Sequence, residues 1–466
     1  MEIHELNALD LSAAIRSGEL GVREVVADAL ARAHADQLGA FVHVADEYSL
    51  ARADELQARL SEPGFEPGPL FGVPCPIKDL NQIAGMPLEA GSVILRGNRA
   101  NYDDGLVIRL REAGTVAIGK TATSEFGLSC YTEPEGRPPA STPFDAGRGA
   151  GGSSGGAAAA VAAHIVALAQ GSDGGGSIRI PAAACGLVGL KASRGRVSKG
   201  PRGVDGPGLV SDGVLSRTVR DTAAALDVLA PGWPGDPYPV PMPDMPFLAA
   251  VDQPVGRLRV GILTAPVITD DAPVHPGALA AVEKTASILE DLGHQIVEAP
   301  PPFPAEAWDA FAAIWAIGAL GAPVPPEAEP MLRPLTRWLR ERGRTYSGEQ
   351  LSAALTAAQQ VTRATAVAWD AFDMILTPTL AQPPAPHGSL RNDDDPAADF
   401  TAQTRFTPWA SVYNLTGRPA ITLPVHTEVI DGVELPFGAM LGGRMHADAY
   451  LLAVAATVEQ AIQTAR

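Results

Sequence analysis

The spacing of apolar positions changes period several times along this 466-residue chain. Val25, Val26, Ala29, Leu30 and Ala33 recur every three or four residues, so residues 9–37 read as two helices parted by Gly18 and Gly21. A short strand is expected at 41–45. Leu50, Ala53 and Leu56 then mark one face of a helix over 46–60. Phe71 to Ile77 is a nearly unbroken apolar run that stops at Lys78, the pattern of a buried strand. The next segments read as a helix over 104–113 with Asp104 as N-cap, a strand at 115–119, a helix at 155–163, a strand at 164–170, and a helix at 218–229 capped from Ser216 or Thr218. Further on come a strand at 258–263, a helix at 277–292, a mainly helical stretch over 304–372, strands at 373–379 and 420–424, and a closing helix at 446–464. Residues 380–399 read as a polar loop.

Strands that alternate with helices imply an α/β fold on a mixed or mostly parallel sheet. Residues 231–256 are the richest in proline, which reads either as a domain boundary or as a long surface crossover. No repeat of fixed period is visible.

Composition narrows the function. With 46 % hydrophobic and 19 % charged residues, a large core is available and global disorder is excluded. The formal net charge of −18 would repel a phosphate backbone, so nucleic acid is not an expected partner. No apolar run reaches the ~18 residues of a membrane span, and the N-terminus lacks a signal-peptide pattern. A cytoplasmic location and no membrane partner are therefore expected. Cys75, Cys130 and Cys185 form no C-x-x-C pair, and the nine histidines show no zinc-ligand spacing, so no metal is expected.

Only five of the 35 basic residues are lysines: Lys78, Lys120, Lys191, Lys199 and Lys284. Lys78 ends a proline-stiffened apolar run, Gly72-Val73-Pro74-Cys75-Pro76-Ile77. Burial there would disfavour the ammonium, and a neutral amine is a usable general base. A Lys78–Asp79 surface pair is the alternative. A second segment, Gly149-Ala150-Gly151-Gly152-Ser153-Ser154-Gly155-Gly156, puts two hydroxyls on a tight glycine loop that runs into an alanine-rich helix. A flexible connector is its alternative. It formally contains G-x-S-x-G, but the residues before it read as a loop rather than the strand that a nucleophile elbow needs. In the third segment, Gly171-Ser172-Asp173-Gly174-Gly175-Gly176-Ser177-Ile178-Arg179, successive glycines can aim backbone N–H groups inward beside a hydroxyl, which acyl transfer requires. A flexible turn or a phosphate loop are its alternatives; the lysine of a phosphate loop is missing.

Together the three segments resemble the amidase signature family of serine hydrolases. Lys78 and Ser153 stand 75 residues apart, and Ser153 and Ser177 stand 24 apart, as in that family. Gly114–Lys120, Cys185–Lys191, Asp373–Thr379 and Asn414–Ala420 also look like family segments. The resemblance implies an α/β/α sandwich around a large mixed, mostly parallel sheet, and one domain over 1–466. In it, 1–230 carries the signature core, 231–256 is the crossover, 257–372 is a helical substrate-side region, and 373–466 returns to the core sheet.

It also implies roles. Ser177 would be the nucleophile. Ser153 would bridge Ser177 and Lys78, across a cis peptide bond from Gly152, and Lys78 would be the base. The amides of Gly174, Gly175, Gly176 and Ser177 would hold the oxyanion, and Ser154, Asp173 and Arg179 would form the supporting network. No cofactor is required. The expected reaction is hydrolysis of a small-molecule amide, carbamate or aryl amide, and a homodimer is left open. A glutaminase subunit of a tRNA-dependent amidotransferase is the alternative, and a non-catalytic homologue a third. Trp308, Trp315, Trp338 and the run Phe311–Leu320 read as helix packing before pocket lining. By family layout, Gly127–Tyr131 would border the pocket.

Overall fold

The computed structural model describes residues 2–204, 206–236 and 239–464. Residues 237 and 238 of the proline-rich stretch, and Met1 of the N-terminal segment, lie outside the described residues.

An eight-stranded sheet forms the centre. In spatial order its strands are Gln295–Glu298, Arg259–Ile262, Met374–Pro378, Val433–Gly442, Ala420–Ile430, Val188–Lys191, Ser211–Ser216 and Leu168–Asp173. Neighbouring side chains on the central strands part to opposite faces. Leu376, Leu423 and Leu441 pack with Ala281, Val282, Leu289, Leu451, Leu452 and Val458, from helices Pro276–Asp291 and Asp448–Thr464. Ile375, Ala420 and Met440 face the other way, into a core with Phe311, Trp369 and Tyr413. The result is the expected α/β/α sandwich.

The sheet is mixed, but the expectation that it is mostly parallel needs correction. Only Arg259–Ile262 with its two neighbours pairs in parallel. The remaining neighbours, from Met374–Pro378 to Leu168–Asp173, are antiparallel. One cause is local. Asp431 and Gly432 both have positive φ (53° and 83°), which closes a two-residue hairpin between Ile430 and Val433. Neither the second hairpin strand nor the reach of the first past residue 424 was expected. Pro424 interrupts the pattern there, and it is accommodated because the register shifts between Pro424 and His426.

Most expected helices are present, among them Ala8–Ser17, Val22–His34, Asp46–Arg59 and Val219–Leu229. Thr218 caps the last of these by accepting the Asp221 N–H at 3.1 Å. Asp104, by contrast, does not cap its helix; its carboxylate accepts the Gln82 N–H at 2.9 Å. The strand expected at 164–170 starts later, at Leu168, because His164 takes a positive φ of 55° just after helix Gly155–Ala162. The loop expected at 380–399 hides the start of helix Pro396–Phe406. Asp395 caps it, accepting the Ala398 N–H at 3.0 Å, and proline sits in its first turn.

Phe71 and Gly72 form a turn, Gly72 at a positive φ of 80°, and only Ile77–Lys78 is a regular strand. Pro74 and Pro76 have no N–H to give, so contact with the neighbouring chain rests on Cys75 N–H to Val116 O (2.8 Å) and Val116 N–H to Val73 O (2.9 Å). Ile77–Lys78 pairs in parallel with Gly119–Thr121, four residues past the start of the strand expected there. Gly119–Thr121 in turn pairs with Phe41–Val44.

Candidate active site

Three chain segments that are far apart in sequence meet at the end of strand Leu168–Asp173. The Lys78 segment is clipped to that strand from both sides. The Gln170 N–H donates to Pro76 O at 3.0 Å, and the Lys78 N–H donates to Gln170 Oε1 at 3.1 Å. The Ser153 loop is held by Ser154, whose hydroxyl donates to Ser172 O and accepts the Ser172 N–H, both at 3.3 Å. The loop enters helix Gly155–Ala162 between walls that leave no room for a side chain. A Cβ on Gly152 would lie 2.7 Å from the Tyr131 backbone, and one on Gly156 would lie 2.4 Å from Ala122 N and Ala40 O. The Gly152–Ser153 peptide bond is cis.

Lys78 is completely buried (0 % exposed). Its Nζ lies 2.7 Å from Ser153 Oγ, 3.0 Å from Ser172 Oγ and 3.4 Å from Ser172 O. Among the described residues no carboxylate is bonded to it. Asp79, its chain neighbour, turns the other way and pairs with Lys120. The surface-pair alternative therefore fails. Burial pushes the Lys78 ammonium down to about 7, against the opposite pull of Asp212 and Asp173. Near neutral pH a large fraction of this amine is uncharged.

Ser177 faces an apolar pocket that opens to solvent, with about 460 Å³ of space when that open part is included. Its hydroxyl bonds to no other side chain among the described residues. The two serine loops are joined through the main chain instead: the Ser154 N–H donates to Ser177 O at 3.2 Å. Before Ser177, the amides of Gly174 and Gly175 have no acceptor among the described residues, and neither does that of Ser177 itself. Gly176 departs from the expected row of donors, because its N–H is already given to Asp173 Oδ1 at 2.8 Å. Its place in the loop is steric: φ is +129°, and a Cβ would strike Ile180 Cδ1 at 2.6 Å.

Asp173 and Arg179 are both fully buried and pair two-fold, Arg179 Nε to Oδ2 and Nη2 to Oδ1, each at 2.9 Å. The same carboxylate accepts the Ile178 N–H at 3.2 Å. Burial alone would raise its pKa. The Arg179 guanidinium and hydrogen bonds from Arg179 and Asn414 outweigh this and hold the carboxyl well below the ordinary range.

Sequence reasoning gave no role to four residues that complete this network. Asn414 Nδ2 donates to Asp173 O (2.9 Å), Asp173 Oδ1 (2.8 Å) and Leu209 O (3.0 Å), and Asn414 Oδ1 accepts from Arg179 at 2.7 Å. Ser172 and Gln170 hold the Lys78 segment. Thr132 Oγ1 accepts the Gly155 N–H at 3.2 Å at the start of the helix. The one signal in the sequence was the place of Asn414 at the head of the family-like segment Asn414–Ala420.

The aromatic residues also resolve. Trp308 and Trp315 line the cavity beside Ser177, together with Phe311 and Phe400, whereas Trp338 packs against Phe400 outside it. The packing reading holds for Trp338 and for Ala312, Ala313, Ile314, Ala316 and Ala319, which are buried in the core, while Trp308 and Phe311 both pack in the core and line the cavity. Of the expected segment Gly127–Tyr131, Gly127 to Cys130 borders the cavity and Tyr131 does not.

The family model described as Amidase matches residues 24–452. The chain belongs to the amidase signature family. Amidase signature relatives include the 6-aminohexanoate-cyclic-dimer hydrolase of Paenarthrobacter ureafaciens, which is 31 % identical over 418 residues, covering 85 % of this chain and 84 % of that one. The structure of a 6-aminohexanoate cyclic dimer hydrolase superposes with a TM-score of 0.91 at 28 % identity, covering 100 % of this chain and 99 % of the other. A bacterial aryl acylamidase of the same family superposes with a TM-score of 0.87 at 27 % identity, covering 98 % and 96 %. As an amidase signature protein, the chain is a hydrolase acting on amide C–N bonds. Among the described residues, no helix is long and apolar enough to cross a membrane.

Proposed function

We propose that the protein hydrolyses small-molecule amides, with aryl amides and carbamates among its substrates, through an acyl-enzyme on Ser177. The observation that carries this reading is the buried, carboxylate-free Lys78 amine 2.7 Å from Ser153 Oγ. Neutral Lys78 takes a proton from Ser153 as Ser153 takes one from Ser177. Ser177 Oγ bonds to the carbonyl carbon, and negative charge gathers on the carbonyl oxygen. The free amides of Gly174, Gly175 and Ser177 meet that charge; removing one donor of such a set costs about 10²–10³ in rate. The C–N bond breaks as the proton returns through Ser153 to the leaving nitrogen. Water then repeats the attack along the same relay, breaks the Ser177–acyl bond and releases the acid. A turn of the Ser177 hydroxyl toward Ser153 as substrate enters completes the relay, since catalytic hydrogen bonds commonly close only in the substrate complex.

A glutaminase role fits less well. Glutamine would bring a carboxylate and an ammonium into a cavity lined by no charged side chain among the described residues. The test is mass spectrometry after treatment with a fluorophosphonate. One adduct is expected, on Ser177, together with loss of amidase activity; Ser177→Ala should take up no label and hydrolyse no amide. Label on Ser153, or undiminished turnover by Ser177→Ala, overturns the reading.

A further inference from the structure

We propose that the ion pair of Asp212 and Lys199 tunes Lys78: Asp212 supplies a negative field that keeps the buried amine basic, and Lys199 cancels enough of that field to let the proton leave. Neither residue lines the cavity, so both are positioning residues that act through Lys78. This rests on the reading of Lys78 as the base and adds what regulates that base.

Strand pairing brings Asp212 to the amine. Ser172 and Asp212 stand directly opposite each other in the antiparallel pair Leu168–Asp173 and Ser211–Ser216. Opposite residues share a face of the sheet, with Cβ atoms about 5 Å apart. That face is the one that carries Lys78. Gln170, two residues before Ser172 and so on the same face, accepts the Lys78 N–H, and Ser172 Oγ lies 3.0 Å from Lys78 Nζ. Asp173, one residue on, points to the other face and gives both its oxygens to Arg179.

The Asp212 carboxylate is only half satisfied. It is buried, and its Oδ2 accepts from Lys199 Nζ at 2.5 Å. Its Oδ1 is also buried and has no hydrogen-bond partner among the described residues. Buried polar oxygens normally find a donor. This one leaves part of the carboxylate charge unneutralised on the face that carries Lys78. Lys199 comes from the long loop between strands Val188–Lys191 and Ser211–Ser216. Its side chain is partly exposed, and Asp212 is its one side-chain acceptor among the described residues.

The charges around Lys78 agree with this placement. Burial is the largest influence and disfavours the ammonium; Asp212 and then Asp173 favour it, and Lys199 opposes it. Asp79 is turned away to Lys120. Burial alone can take a lysine to about 5–6, and an opposite charge within ~4–6 Å moves a group back by about 1–3 pH units. Lys78 stands between these limits, at about 7. There the amine is neutral in a large fraction of molecules and still basic enough to take the Ser153 proton. Without Asp212 it would be a weaker base, and beside an unpaired Asp212 it would stay an ammonium.

The test is the pH profile of kcat/KM for a neutral anilide, from pH 5 to 9, in wild type, Asp212→Asn, Lys199→Met and Lys199→Arg. Asp212→Asn should move the acid limb down by at least about half a pH unit, and its plateau should fall because a weaker base takes a proton less readily. Lys199→Met should move the limb up by at least about half a pH unit, so that activity at pH 6, relative to its own plateau, falls about threefold or more. Lys199→Arg keeps the charge and should leave the limb within about 0.2 pH units of wild type.

A merely structural pair would lower activity at every pH and leave the limb in place; that result overturns the proposal, and so does a shift of Asp212→Asn and Lys199→Met in the same direction. Lys199 stands on a partly exposed loop, so Lys199→Met and Lys199→Arg carry the test by themselves if Asp212→Asn fails to fold. Wild type separates the two levels of the argument. An acid limb near pH 7 with fluorophosphonate label on Ser177 keeps the reading of base and nucleophile, and unmoved variants then remove the tuning alone. A wild type with no limb below pH 9 removes the base and the tuning together.

Discussion

Asp79 follows Lys78 in the chain, yet its carboxylate is bound to Lys120 Nζ at 2.9 Å, and both members of this pair are buried. Lys120 also donates to Asn81 O at 2.8 Å and Pro87 O at 3.1 Å, so the ammonium has three acceptors. Burial pushes Asp79 up and Lys120 down, and each partner pulls the other back toward its charged form. The pair keeps a carboxylate next in sequence to Lys78 out of reach of the Lys78 amine.

Lys120→Met should therefore do two things. Thermal unfolding should show a loss of about 3–5 kcal/mol, the usual result of leaving one buried charge without its partner. The acid limb of kcat/KM should also move to higher pH, because an unpaired carboxylate near Lys78 favours its ammonium. The double variant Lys120→Met/Asp79→Leu should recover most of the stability and return the limb to its wild-type position. A merely structural role for Lys120 would leave the pH profile unmoved.

The pH dependence of wild type follows from Lys78 itself. Only the neutral amine can take a proton, and burial sets its midpoint at about 7. The value of kcat/KM for a neutral amide should rise tenfold per pH unit below that point and level off above it. A pH–rate profile from 5 to 9 checks this. A limb centred near the usual lysine value of 10.5 would mean that the amine is solvated.

The same group costs stability, and the sign can be worked out. The unfolded chain holds the Lys78 proton up to about 10.5, whereas the folded chain releases it at about 7. Between those values the unfolded state binds more protons, so this contribution to stability rises with pH across that window; below about 7 the penalty is complete. At neutral pH it amounts to roughly 4 kcal/mol. Lys78→Met should abolish amide hydrolysis and raise the Tm by a few degrees at pH 7, with a smaller gain at pH 10. Differential scanning calorimetry at the two pH values checks both parts.

Asn414 does not line the cavity, but it anchors Asp173 and through it the loop that carries Ser177. Asn414→Ala removes the donor to two buried carbonyls and one buried carboxylate oxygen. Each orphaned acceptor costs about 1–3 kcal/mol. We expect kcat to fall 10- to 100-fold, KM to stay within about threefold, and fluorophosphonate labelling of Ser177 to slow in step with kcat. A change in KM alone would place Asn414 in substrate binding instead.

The three segments that meet at the candidate site could be picked out from local pattern because each is a local exception. A lysine closing an apolar run, hydroxyls between glycines, and three glycines before a serine all break the rules for ordinary strands and turns. Most helices were legible for the opposite reason: Val25 to Ala33 and Leu50 to Leu56 obey the helical period. The expectations failed where partners lie far off in the chain. Val433–Gly442 carries a proline, and its pairing with Met374–Pro378, some sixty residues back in the chain, sets its hairpin inside the central sheet. Asn414 looks like any polar residue until Asp173 arrives from 241 residues away. Gly176 is the exception: it resembles its neighbours, and its amide is claimed by Asp173 only three residues before it.

By itself the sequence determined the residue types needed for acyl transfer and the family to which they belong, because glycine, proline and helical spacing act over a few residues. Only the tertiary structure decided which charges meet. It sends Asp79 to Lys120, Arg179 to Asp173 and no carboxylate to Lys78, and it turns Trp315 toward the cavity and Trp338 away. The physical reason is that an amine loses its proton near neutrality only when water and counter-charge are both excluded, and that exclusion is made by strands and loops remote from Lys78 in the chain.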